Sequence, residues 1–461
     1  MPNAFAYLML VSWPLASILL FRRLPVGRAL IASLLLAYLF LPPPPAGFDF
    51  PLLPPLTKET IPSLVIVLVC LVMYRGQMTL LPDGLIGKIL VAVFILSPLF
   101  TVLTNFEPVF WGHIGLPALR LREAVALMIQ QGLVIAPLLL ARNFLRQESD
   151  HRDMLMALFA GGMIYSLFML IEIRLSPQIN VWVYGYFQHL FEQMIRFGGF
   201  RPIVFLYHGL WVAFFALTAV LAAVALARAA HGPRLVGFGM AAVYLLVVLV
   251  LCKSVASILY ALALLPMVAL FGQRLQLHVA VVLAFLALGY PLLKGADLVP
   301  QETMLHMAEQ IDTDRANSLR FRFDQETILL ERAAEKPLFG WGTWGRNHIM
   351  DPNTGQFLTV TDGRWIIVIG VLGWVGFLAE VGLLTLPIFL IWAKTRDADP
   401  KSLSPWIGPM ALILVINVID LIPNATITPL TWLFAGAVLG YAETVVVQRR
   451  RQMLAPLRTI L

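Results

Sequence analysis

The chain has 461 residues, 59% of them hydrophobic and only 13% charged, with 33 Lys and Arg against 26 Asp and Glu for a formal net charge of +7. Soluble domains carry roughly a quarter charged residues, so this composition excludes an ordinary soluble enzyme and points to a chain solvated largely by lipid. Cys70 and Cys252 both fall inside or at the edge of apolar runs, and provide neither a disulfide framework nor metal-site spacing.

Taken in chain order, apolar stretches close to the roughly 20 residues needed to cross a bilayer recur along the whole length. They predict spans near 4–21, 26–41, 61–74, 85–104, 123–140, 154–171, 203–227, 235–252, 255–271, 275–293, 365–391, 405–422 and 429–447. The first is followed by Arg22-Arg23 with no basic region ahead of it, and reads as a retained span rather than a cleaved signal. The third is short and the block 235–293 has room for two or three helices, so about 11 to 13 spans are expected. The fold class is therefore an all-α integral membrane protein, one polytopic unit over residues 1–461.

Lys and Arg in short loops mark the cytoplasmic side. The loops 22–28, 142–152, 228–234, 394–401 and the tail from Arg449 are basic, and span counting places all of them on one side. Such clusters are orientation signals, and nucleic acid is not an expected partner. Loops 42–60, 105–122, 172–202, 294–364 and 423–428 then face outward. Two of these are long. Loop 172–202 is aromatic-rich, with Trp182, Tyr184, Tyr186, Phe187 and Phe191, and suits the membrane interface. Loop 294–364 is far longer than a helix connection requires, and its Asn317–Lys336 stretch reads as a helix halted by Pro337.

Arginine on the outer side is the anomaly. Loop 172–202 carries Arg174, Arg196 and Arg201; loop 294–364 carries Arg315, Arg320, Arg322, Arg332, Arg346 and Arg364. A guanidinium presents a planar fork of donors that grips two phosphate oxygens at once. Local pairing is the competing explanation, since loop 294–364 holds eleven Asp and Glu against eight Lys and Arg. Arg315, Arg322 and Glu326 share a helix face by spacing, with Arg320 pointing elsewhere. Arg196 and Arg201 fall just before the span predicted from Ile203, at membrane-surface depth.

The stretch from Ser318 to Gly342, in which Arg322 stands fifteen residues before Pro337-Leu338-Phe339-Gly340-Trp341-Gly342, resembles the signature of the O-antigen ligase and O-antigen polymerase superfamily of membrane glycosyltransferases. The segment Arg196-Phe197-Gly198-Gly199-Phe200-Arg201-Pro202 resembles that family's second arginine element, and Cys252-Lys253-Ser254 a weaker third. The resemblance implies glycosyl transfer from an undecaprenyl-diphosphate-linked glycan to a glycan or lipid acceptor at the periplasmic face of a bacterial inner membrane, as in the assembly of lipopolysaccharide or exopolysaccharide. It implies no cofactor, no nucleotide sugar and no obligatory metal, with envelope polysaccharide-assembly proteins as possible partners. Arg322, Arg201 and Arg196 would hold the diphosphate, with Arg320, Arg346 and Lys253 as further cations.

One departure stands out. Ligases of the family carry a His-Asn pair where the large loop enters the next span; here the position reads Thr361-Asp362-Gly363-Arg364-Trp365. Asp362 can deprotonate an acceptor hydroxyl or cap the following helix, and His348 is the substitute histidine. Glu380 and Asp420, ionisable groups in or near apolar runs, are functional suspects by position, whereas His208 reads as an ordinary buried polar residue. The rival from another class is a transporter or flippase, which calls for charges at mid-bilayer and broken helices in two related halves; no internal repeat is visible.

Overall fold

The computed structural model describes residues 1–50, 53–310, 313–396, 398 and 403–454; the side chains of 314, 315 and 446–454 lie outside that description. Each predicted span is a helix, with ends that move by a few residues. The helices are α1 (Ala4–Arg23), α2 (Val26–Phe40), α3 (Thr60–Met73), α4 (Leu85–Leu103), α5 (Leu121–Phe144), α6 (Glu148–Leu175), a short α7 (Ile179–Tyr184), α8 (Gly209–Ala229), α9 (Pro233–Leu251), α10 (Val255–Leu270), α11 (Gln273–Gly295), the loop helices α12 (Gln301–Glu309) and α13 (Thr313–Ala334), α14 (Arg364–Thr395), α15 (Ile407–Asp420) and α16 (Pro429–Leu454). Eight helices are long and apolar enough to cross a membrane, and α2, α3, α10 and α15 are shorter apolar helices. Strand is confined, among the described residues, to the hairpins β1 (Val109–Trp111) with β2 (Ile114–Leu116) and β3 (Ile195–Arg196) with β4 (Gly199–Phe200). The chain is an all-α, multi-pass integral membrane protein.

Helices that are apolar all round sort by what covers them. In α8, 83% of the apolar window is enclosed, which places it at the centre, while α9 encloses only 22% and turns Val236, Met240, Val243, Val247 and Val250 outward. Polar contacts gather at two ends. At one end Arg142 is buried between Asp83 and Glu443, at 2.6 Å from each, and Arg28 pairs with Asp153. At the other, the loop face, Lys58 donates to the Phe205 carbonyl, Tyr184 to Phe40 and Lys336 to Thr104. Arg28 and Arg142, from two of the basic loops, thus lie at the end opposite the long loops. One boundary differs: α8 begins at Gly209, and 203–206 enter as buried non-helical chain whose Ile203 and Val204 amides donate to Glu172.

α14 is two helices in one. Gly373 has φ 70° and ψ −172°, outside helical geometry. Arg364 nevertheless forms two 2.7 Å hydrogen bonds to the Glu380 carboxylate, sixteen residues later. A straight helix would separate them by about 24 Å, so the chain folds back at Gly373 and the 364–372 arm lies beside the start of the 374–395 arm. The Pro337–Gly342 element sits on the break: Trp341 and Gly342 amides donate to Gly370 and Val371, and Trp374 and Val375 amides donate to Pro337 and Leu338. A Cβ on Gly373 would stand 2.3 Å from the Leu338 carbonyl carbon.

Gly373→Ala therefore combines a left-handed φ with a backbone clash, and is expected to cost upward of about 1–3 kcal/mol. Gly289→Ala in α11, where a Cβ meets nothing within 4 Å, is expected to change stability by no more than about 1 kcal/mol. Thermal unfolding of the two purified variants in detergent compares them; equal melting temperatures would show that the break at Gly373 is not constrained.

Candidate functional site

Arg196, Arg201, Arg322 and Asp362, four of the residues singled out from sequence, line one cavity of about 390 Å³ on the loop face. Its other walls include His189, Gln193, Tyr207, His208, Trp211 and Asn424. Five segments build it. The β3–β4 hairpin brings Arg196 and Arg201, the entry to α8 brings Tyr207 and His208, α13 brings Arg322, residues 361–362 bring Asp362, and the α15–α16 loop brings Asn424.

Each wall is fixed by its own local interaction. α13 is held by Glu326, one turn after Arg322, which accepts from the Tyr290 hydroxyl at 3.1 Å and lies 3.9 Å from the Lys294 ammonium; Phe323 packs beneath that ammonium. Arg322 and Glu326 thus share a helix face as their spacing predicts, Arg320 turns away to Glu309, and the Arg315 side chain lies outside the described residues. The α15–α16 loop is tied by Asp420, which accepts from Asn424 and Thr426 at 3.0 and 2.6 Å. Asp420, a suspect from its position, is thereby a pin for the loop that carries Asn424.

Arg201 is the informative side chain. It is 7% exposed, and its aliphatic stem crosses Gly209, where a Cβ would come within 2.1 Å of its Cδ. Its Nη2 donates to the Lys253 carbonyl at 3.1 Å, while its buried Nε has no partner and no carboxylate lies within ion-pair distance among the described residues. Burial, with the positive charge of Arg196 adding to it, pushes Arg201 down to about 10, so it stays charged at neutral pH. A buried, charged, incompletely satisfied guanidinium is costly and marks a place where an anion would be welcome.

Arg322 faces the same space with its Nε 3.1 Å from the Asp362 carboxylate, both side chains about one third exposed. A pair this open is weakly held and exchangeable. Asp362 does not cap α14: Gly363 occupies the N-cap with no side-chain hydrogen bond. His208 caps α8 instead, its Nδ1 accepting the Leu210 amide at 3.0 Å, which leaves the hydrogen of the neutral ring on Nε2. Its ring meets His189 edge-on, centroids 4.6 Å apart. Burial, then the charges of His189, Arg201, Arg196 and Arg322, push His208 down to about 3. The wall therefore offers three guanidiniums and a neutral imidazole N–H against one carboxylate.

The remaining candidates lie away from the cavity. Lys253 donates its ammonium to the Arg196 carbonyl at 2.9 Å, bracing the hairpin from outside. Arg346 is 1% exposed and donates to Trp341, Pro117, Glu107 and Asn105, locking the large loop to the α4–α5 loop. His348 is half-buried with Nδ1 on Thr359, and burial lowers it below the ordinary histidine value. Arg332 stacks on the Trp341 ring at 3.3 Å and pairs with Glu335. These basic side chains hold the loop together. Nothing in the sequence singles out His189, Gln193, Tyr207 or Asn424, and His208 reads there as an ordinary buried polar residue.

Glu380, the ionisable group deep in an apolar run, is the partner of Arg364 and has a side chain only 1% exposed. Glu380→Ala is expected to cost about 3 kcal/mol, because it leaves Arg364 without its counter-charge. Arg320→Ala, in an exposed pair, is expected to stay within about 0.5 kcal/mol. Detergent unfolding midpoints check both; an indifferent Glu380→Ala variant would remove the pair as a structural element. No family model matches the chain and no curated protein matches it, so function rests on the geometry of this cavity.

Proposed function

We propose that the protein transfers a glycan from an undecaprenyl-diphosphate carrier to a glycan or lipid acceptor, acting at the periplasmic face of a bacterial inner membrane as a polymerase or ligase of surface polysaccharide. The observation that carries this is the buried guanidinium of Arg201, short of partners and facing the same cavity as Arg196 and Arg322. A diphosphate supplies the missing charge: its oxygens accept from forked guanidiniums, and His208 adds a neutral donor. As the glycosidic C–O bond to the carrier breaks, negative charge grows on the leaving diphosphate, and fixed cations lower that barrier without reorganising.

Asp362 fits as a place-holder. With no ligand in place its carboxylate neutralises Arg322, and an arriving phosphate oxygen exchanges for it. The orientation is inferred from the basic loops at the opposite end, which hold Arg28, Arg142 and Arg228. A transporter is the rival that the broken α14 favours, since transporters build sites from discontinuous helices. Against it, the break is clasped by four backbone hydrogen bonds and closed by the Arg364–Glu380 pair, which suits a fixed wall better than a moving gate.

Pyrophosphate serves as the probe of the full chain in detergent. Arg201→Ala and Arg322→Ala are each expected to weaken its binding by about tenfold or more, following the worth of a charge-assisted contact, and to abolish glycan extension in cells. Gly209→Ala, which pushes Arg201 from its place, is expected to weaken binding in the same direction. Pyrophosphate binding that ignores all three substitutions would sink the diphosphate clamp. Orientation is read from Trp344→Cys, an exposed loop position: labelling from outside intact spheroplasts is expected, against a background of two buried native cysteines.

A further inference from the structure

Beside the arginine cavity lies a second, smaller chamber of about 150 Å³, lined among others by Glu59, Ser63, Gln130, Arg364, Thr428 and Trp432. Tyr207 connects the two: it lines the arginine cavity, and its phenol neighbours the Glu59 carboxylate, which lines the chamber. Arg364 lines the chamber two residues after Asp362 on the cavity wall. The chamber holds the volume of about five water molecules, mixes acceptors and donors, and opens beside the place where the carrier's diphosphate would lie.

We propose that this chamber seats the attacking hydroxyl of the acceptor, and that Glu59 takes its proton. The inference rests on the glycosyl-transfer reading. Glu59 stands at the start of α3, and the cations near it are engaged elsewhere. Arg364 is bound through two hydrogen bonds by Glu380. Lys58 donates to the Phe205 carbonyl at 2.7 Å between the rings of Tyr38 and Tyr207. Among the described residues no cation stands within ion-pair distance of Glu59, whereas Asp362, the other carboxylate at hand, is held by Arg322. A carboxylate clamped by arginine is a poor base; one beside a polar chamber without a salt bridge is a good one.

In the step itself, the acceptor O–H gives its proton to the Glu59 carboxylate and its oxygen bonds to the anomeric carbon. The anomeric C–O bond to the carrier breaks, and its electron pair leaves on the diphosphate held by the arginines. Glu59 then returns its proton to water. Burial raises Glu59 above the ordinary carboxylate range, with Tyr207, Lys58 and Arg364 opposing. A base must be ionised to act, so transfer is full above this raised value and falls as pH drops through it. Lys58, which burial brings down to about 7, is the nearby group that titrates on the alkaline side.

The test uses the full chain in detergent, a lipid extract of the producing cells as donor, and pyrophosphate binding as a separate measure of the arginine cavity. Glu59→Gln is expected to lose at least about a hundredfold in transfer rate, the usual worth of a general base, while binding pyrophosphate within about twofold of wild type. Glu59→Asp is expected to retain measurable transfer with its acid limb displaced and its alkaline limb unmoved. Transfer by Glu59→Gln within threefold of wild type, or an unmoved acid limb in Glu59→Asp, overturns the assignment of Glu59 and leaves the diphosphate clamp standing. A wild-type chain that neither binds pyrophosphate nor transfers glycan takes down both.

Discussion

The fold-back of α14 is the constraint on which the loop face depends. Arg364 and Glu380 meet because Gly373 lets the chain reverse, and two short hydrogen bonds close the reversal where neither charge is freely solvated. Removing one partner of such a pair leaves the other charged and desolvated, so the pair acts as a lock once formed. Its position fixes residues 361–363 against Leu421 and Asn424, whose carbonyls accept the Arg364 amide. Asp362 and Asn424, on two chain segments far apart in sequence, thereby reach the same cavity. The Pro337–Gly342 element, which resembles a family signature, works here as the clasp over the reversal: its backbone bridges both arms, and α13 with Arg322 is delivered just upstream of it.

The basic side chains of the loop face divide into two groups by what they touch. Arg332, Lys336 and Arg346 donate to carbonyls and carboxylates of their own loop and of the α4–α5 loop, or stack on Trp341. These convert a long connection into an ordered cover, which a bilayer protein needs wherever irregular backbone leaves peptide groups unpaired. Arg196, Arg201 and Arg322 face open space instead, opposed by one exchangeable carboxylate. Charge alone does not separate the groups. What lies opposite does: Arg346, as enclosed as Arg201, has carbonyl acceptors on all three nitrogens, and Arg332 has Glu335 and the Trp341 ring, whereas Arg201 has the Lys253 carbonyl and the cavity.

Much of this was legible in the sequence, for identifiable reasons. Span positions follow from hydropathy, and the alternation of ends follows from the basic loops, since both are local properties. Arg322 and Glu326 sharing a face follows from helical spacing. That Arg196, Arg201, Arg322 and Asp362 share a cavity was expected only through the family resemblance, and the geometry brings them together. In sequence nothing sets the cations Arg346 and Lys253 apart from Arg196, Arg201 and Arg322, because what distinguishes them is which groups lie opposite. Asp362 reads as a helix cap until Gly363 proves to hold that place. Glu59 sits in a loop next to an unremarkable lysine, and nothing local reveals that Arg364, about three hundred residues later, lines the same chamber.

The energetics of Arg201 tie fold to function. Its burial leaves a guanidinium nitrogen without a protein partner and lowers its proton affinity, a local cost that the fold itself bears. Stability could be regained by a carboxylate in place of Gln193 or Asn424, both lining the same cavity. Such a change would fill the cavity with the protein's own counter-charge and remove the reason for an anion to enter. Sites built for function hold this kind of unrelieved local cost, and the surrounding packing of α8, the most enclosed of the eight long apolar helices, supplies the rigidity that keeps Arg201 from relaxing away from it. The open Arg322–Asp362 pair contrasts with it: its two side chains are about one third exposed, so the counter-charge there is held loosely.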